Sequence, residues 1–147
     1  MTTDRSAYWV DLAEYDLDTA VAMLAAGRRL YVGFLCHQVI EKMFKAVIAK
    51  DGAIPPKVHA LTRLAELSHL ADLLSKVHAL TRLAELSHLA DLLSDEQNGF
   101  IDALLPLNIE ARYPADKDKL LEILTEAYCR ELIAKTEDLR LWIKHRL

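Results

Sequence analysis

Residues 57–75 read KVHALTRLAELSHLADLLS, and residues 76–94 repeat those letters without one change. A long-established structural repeat keeps its core pattern and loses its surface letters. Here the surface letters survive too, so the repeat is a fresh tandem duplication, natural or made in the laboratory. Chain letters outside one copy then describe the parent, and the fold must place an extra block. As continuous helix the block would add about 28 Å and turn its apolar stripe by about 100°. The two copies therefore cannot offer one face to one groove on a straight helix. One copy takes the parental place. The other finds a new partner, projects into solvent, or buries its leucines against another subunit. Each exposed leucine is worth about 1.5–3 kcal/mol on burial, which favours association and domain swapping.

No Gly or Pro separates the copies. Ser75 can cap a new helix, but His78 stands where a capping box takes Glu or Gln. A continuous helix through the junction and a break near Ser75 both remain open. So does the choice of copy for the parental place. The first has the entry Pro55-Pro56, and the second has the exit Asp95-Glu96-Gln97.

Four glycines and four prolines in 147 residues, amid abundant Leu, Ala, Glu and Lys, predict an all-α chain. The length predicts a single domain, 1–147, with one core. A formal net charge of −4 gives no global pull toward nucleic acid, so such binding would need a local basic patch. Cys36 and Cys129 fall in different predicted helices with no spacing that asks for pairing. The N-terminus is acidic, and no stretch approaches the ~20 apolar residues of a membrane span. These features predict a reduced cytoplasmic setting and no membrane.

The periodicities predict a helix from Ser6 to Ala26, capped by Asp4 or Ser6 and ended by Gly27. Its core face is Trp9, Leu12, Ala13, Leu17, Ala20 and Leu24. A second helix runs from Leu30 to Lys50, with Tyr31, Phe34, Leu35, Val39, Met43, Val47 and Ile48 as its stripe. Gly33 and Cys36 are small enough there to mark the close approach of another helix. Glu41 and Lys45 are spaced to pair on the surface, for a few tenths of a kcal/mol. Ala53-Ile54-Pro55-Pro56 is a rigid link. The first copy gives the stripe Val58, Leu61, Leu64, Leu67, Leu70 or Ala71, and Leu74. The second gives Val77, Leu80, Leu83, Leu86, Leu89 or Ala90, and Leu93. Ser94-Asp95-Glu96-Gln97 is a capping box opening a short helix to Leu105. Pro106 to Ala115 is expected to be irregular. A last helix from Asp116 to Lys144 uses Leu120, Leu124, Ala127, Tyr128, Leu132, Leu139, Trp142 and Ile143. The sum is an up-and-down helical bundle of four to five helices.

With one copy removed, the chain resembles HEPN-domain proteins over nearly its whole length. The residues that carry the resemblance are Tyr31, Phe34, His37-Gln38, Glu41-Lys42 and Lys45-Ala46. After the Gly52 turn come His59-x-Leu61, or its twin His78-x-Leu80, and then Ala111-Arg112-Tyr113-Pro114. The resemblance implies a homodimeric bundle. It also implies a small nucleotidyltransferase partner, often as a toxin–antitoxin pair, and a nucleotide- or RNA-linked task. Some members are metal-independent RNases with an Arg-x4-6-His motif at the dimer cleft.

Arg140-x4-His145 fits that motif, with His as general acid–base and Arg holding developing phosphorane charge. Arg63-x5-His69 and Arg82-x5-His88 fit it as well, and such pairs arise by chance in a chain with six histidines. The competing reading of Arg140, Lys144, His145 and Arg146 is a basic helix end. Arg112, beside Tyr113 and Pro114, is the leading candidate for phosphate contact. It can equally pair with Glu41 or Glu110 and staple a loop. His37, Gln38, Glu41 and Lys42 are candidate ligand contacts, against a hydrogen-bonded helix contact and a solvated ion pair. His59 and His78 read as capping residues. Scattered histidines without HExxH or CxxC predict no metal, and no glycine-rich phosphate loop points to a cofactor. Three functions follow: a dimeric nucleotide- or RNA-linked binding module, an endoribonuclease, or a helix-duplication variant without intact parental function.

Overall fold

The computed structural model describes residues 5–50, 80–112 and 117–147, with the side chains of 108–112 apart. The first copy, the junction, the Pro55-Pro56 link, His59, His78 and Tyr113-Pro114 lie outside the described residues. The architecture is all-α. None of the described residues is in a strand.

Helix α1 spans Ser6–Ala25 and buries Ala13, Leu17 and Ala20. Ser6 is its first residue, so the N-cap position falls on Arg5, which makes no side-chain cap bond; Asp4, the other candidate cap, lies outside the described residues. Gly27 ends it as expected, at φ +74°. The Gly27 N–H donates to the Leu24 carbonyl at 3.0 Å and the Arg28 N–H to the Met23 carbonyl at 2.8 Å. That pair of bonds is a Schellman stop, which a left-handed glycine makes without steric cost.

After a 3-10 turn at Arg29–Tyr31, helix α2 runs over Val32–Lys50. It is buried on more than one side, from Val32 and Gly33 to Ile48 and Ala49. The single apolar stripe expected of it is too narrow. α2 packs on α1 and on two later helices, so it is the centre of the bundle and not a surface element. Tyr31, expected in the stripe, is instead exposed.

The second copy enters the core. Residues 80–86 form helix α3, and Leu80, Leu83, Ala84, Leu89 and Leu93 join the central cluster. The stripe predicted through Leu93 does not stay helical. α3 stops at Leu86, and a 3-10 turn covers Ala90–Leu92. His88 has φ 62°; its N–H reaches the Glu85 carbonyl at 3.1 Å, and the Leu89 N–H reaches Ala84 at 3.3 Å. This is the same Schellman geometry as at Gly27, made by a residue with a Cβ. Breaking there turns Leu89 and Leu93 inward, and their burial outweighs the ~1–2 kcal/mol left-handed penalty. Leu86 and Leu92 remain exposed.

Helix α4 spans Asp95–Arg112. Its capping box forms as read: the Ser94 N–H donates to Gln97 Oε1 at 2.9 Å and the Gln97 N–H to Ser94 Oγ at 3.1 Å. The helix does not end at Leu105, and the stretch expected to be irregular is helical through Arg112. Pro106 lies inside it, exposed, between buried Leu104, Leu105 and Leu107. A mid-helix proline costs about 3 kcal/mol. Three leucines at about 1.5–3 kcal/mol each exceed that.

The last helix is two. Lys117–Ile123 (α5) and Glu126–Lys144 (α6) meet at Leu124-Thr125. Thr125 is the N-cap of α6, accepting from the Tyr128 N–H at 3.1 Å. Arg29 Nη1 donates to the carbonyls of Leu124 at 2.7 Å and Leu121 at 3.4 Å. The guanidinium thus satisfies carbonyls that the end of α5 leaves open. Among the described residues no helix is long and apolar enough to cross a membrane.

Candidate functional site

α1 supplies carboxylates to two sets of candidate residues, one on α2 and one on α6. On α2, Lys42 is ion-paired with Asp16, both half-buried. One turn on, Lys45 lies 3.9 Å from Glu41 Oε2, the pair that the spacing predicted. Its ammonium sits 5.2 Å from the Trp9 ring centroid. Lys45 is buried even so. Its aliphatic stem fills space while the charge finds a carboxylate and a ring face. His37 is 1% exposed, and Gln38 and Glu41 are half-buried. Of these polar groups of α2, Lys42 and Lys45 meet α1, through Asp16 and Trp9.

At the far end, Arg140 is 8% exposed although it is the cationic half of the Arg-x4-His pattern. Its Nη2 lies 2.8 Å from Glu137 Oε1 and its Nη1 lies 3.1 Å from Glu14 Oε1. Lys144 Nζ shares that same Glu14 oxygen at 3.1 Å. The hydrogen bond to Glu137, then the nearby charges of Glu137 and Glu14, raise the guanidinium pKa against the opposing effect of burial. Arg140 is held charged and in place. His145 is the exposed C-cap residue of α6. Five residues along a helix turn the direction by about 140°. Arg140 accordingly faces α1 while His145 lies at the open end. Arg146 stacks on Trp142, its guanidinium carbon 3.5 Å from the ring centroid.

Arg112 ends α4 as a helical residue, not as part of a loop, and Tyr113 is beyond the described residues. Glu41, one of its two expected partners, pairs with Lys45. Cys36 and Cys129 are both free and buried. Burial pushes the Cys36 thiol up to about 11, with the neighbouring Thr136 hydroxyl opposing. The Cys129 pKa is also raised by burial, with Arg29 opposing. Neither thiol is set up as a nucleophile. Among the described residues no group of three His, Cys, Asp or Glu could hold a metal ion.

Glu14, Asp16 and Glu137 organise both basic sets, and none was singled out from the letters. Glu137 had a local signal, three residues before Arg140. Glu14 and Asp16 had none, because their partners lie far along the chain.

The model of the family described as HEPN domain matches residues 6–146. No curated protein and no solved structure matches this chain significantly.

Proposed function

The chain belongs to the HEPN domain family, and from that premise we propose that it is a nucleotide- or RNA-linked binding module. It works as a homodimer beside a small nucleotidyltransferase, as one half of a toxin–antitoxin-like pair in the cytoplasm. What favours binding over cleavage is Arg140. A guanidinium that already bonds Glu14 and Glu137 has little capacity left for a developing phosphorane. Glu41 and Lys42, with His37 and Gln38 behind them, and Arg112 with Tyr113 are the candidate ligand contacts. Lys42 would have to exchange Asp16 for phosphate.

The endoribonuclease reading rests on Arg140-x4-His145 and on the exposure of His145. In that reading His145 transfers the proton and a partner protomer completes the cleft. Incubating the dimer with RNA in EDTA decides between them. Binding without cleavage is expected. Cleavage that disappears in His145→Ala would establish the enzyme. The third reading, a duplication variant with lost function, rests on the identity of 57–75 and 76–94. It predicts ligand binding by a chain lacking 76–94 and none by this one.

A further inference from the structure

α4 and α6 enclose an open groove of about 520 Å³. Its apolar wall is Phe100 from α4 and Leu132, Leu139 and Trp142 from α6. The α6 residues run from Tyr128 to Trp142, a length of about 21 Å at 1.5 Å per residue. That is a trough along two helices and not a pit for one small molecule. Among the described residues that line it, the charged ones are Glu96, Glu131, Asp138 and the cation Lys135, with Arg146 stacked on Trp142 at one end. Lys135 is already committed, 2.9 Å from Glu131, and it feels Glu96 across the groove. The rim therefore presents uncompensated negative charge, which repels phosphate and attracts a cationic ligand.

Gly99 adds an independent observation. It lies in the groove wall, within α4, and a Cβ built on it would meet nothing within 4 Å. A helix-interior glycine costs about 1 kcal/mol relative to alanine. No packing within the described residues requires it. A bare stretch of helix backbone beside aromatic and leucine side chains is what lets a second helix approach closely.

We propose that this groove docks an amphipathic helix of a partner protein. Apolar anchors of that helix at i, i+3, i+4 and i+7 would enter between Phe100 and Trp142, with Lys or Arg flanking them toward Glu96 and Asp138. The proposal does not rest on the nucleotide-binding reading, and it assigns this face to protein and not to RNA.

Three labelled synthetic peptides test it on the full chain, read by fluorescence anisotropy. The first has leucines at those spacings flanked by lysines. The second replaces the lysines with glutamates. The third scrambles the first, with the same composition and no stripe. The lysine peptide should bind at least about tenfold tighter than either other at low salt, and the charge preference should shrink at high salt. Gly99→Leu should weaken its binding at least about tenfold while leaving the melting temperature equal or higher, since the new side chain fills open space and favours helix. Equal binding of the three peptides would overturn the proposal, as would binding by none of them. Undiminished binding to a folded Gly99→Leu variant would overturn it too.

Discussion

Gly33 lies so close beneath Leu107 that a Cβ on it would stand 2.8 Å from Leu107 Cδ1 and 2.9 Å from Leu107 Cβ. The Cδ1 can swing away, but the Cβ moves only with the backbone of α4. Gly33→Ala should therefore destabilise the fold by about 1–3 kcal/mol, the usual cost of overpacking. The helix-propensity gain is small because Gly33 sits in the first turn of α2. Gly99→Ala, where a Cβ meets open space, should stabilise by up to about 1 kcal/mol. Urea unfolding of the two variants should shift the midpoint in opposite directions. A Gly33→Ala variant as stable as the unsubstituted chain would mean that the α2–α4 contact is not as close as described.

The left-handed His88, at φ 62°, predicts a stabilising substitution. His88→Gly keeps the two closing hydrogen bonds, which are backbone bonds, and removes the Cβ penalty. A gain of about 1 kcal/mol is expected in thermal or urea unfolding. An unchanged or lower midpoint would show that the imidazole contributes contacts worth as much as the strain it imposes. His69 holds the same place in the other copy, so His69→Gly offers a matched comparison within one chain.

What was legible in the letters divides by the range of the physics involved. Local chemistry read true: Gly27 as a helix stop, Ser94 with Gln97 as a capping box, Glu41 with Lys45 as a pair, although the pair is largely buried, with Lys45 against α1, and not on the surface. Gly33 read true as the mark of a close approach. Helix breaks failed in both directions. Pro106 looked like a terminator and is helical, because the leucines beside it are worth more buried than the proline costs. Ser87-His88 and Leu124-Thr125 looked helical and are breaks, because tertiary burial and the Arg29 cap favour ends that contain no glycine. For the candidate site, the letters found the cations and missed the anions that hold them. Arg140 and Lys42 are each neutralised from α1, and nothing in their own neighbourhoods announces Glu14 or Asp16.

The Glu14 cluster should contribute unevenly to stability. Arg140 is buried, and Arg140→Ala removes its packing, leaves Glu137 without its cation and leaves Glu14 with Lys144 alone. A loss of about 1–3 kcal/mol is expected. Glu14 is 43% exposed at its side chain, so water can replace its partners, and Glu14→Gln should cost less than about 1 kcal/mol. Chemical denaturation of both variants checks the ranking. If Arg140→Ala were silent in stability yet removed nucleotide binding, the arginine would be a ligand contact instead of a brace between α1 and α6.

Cys36 sets the alkaline limit. Its thiol is held at about 11 by burial, against an ordinary value of 9.0. The folded pKa is raised, so the native state keeps a proton that the unfolded state releases above about pH 9. The stabilisation is fully present below pH 9 and is lost as pH rises toward 11. Two pKa units correspond to roughly 2–3 kcal/mol at the far end of that window. The informative quantity is a difference, which cancels whatever else alkaline pH does to the chain. Urea midpoints for the parent chain and Cys36→Ala, taken from pH 8 to 11, should converge as pH rises, because the variant lacks the linked proton. The thiol should also resist a disulfide reagent at pH 8 until urea unfolds the chain, at a rate set by opening. Parallel midpoint curves, together with prompt labelling of Cys36 in the native state, would show that the thiol is open to solvent and that α2 is not the sealed centre of the bundle.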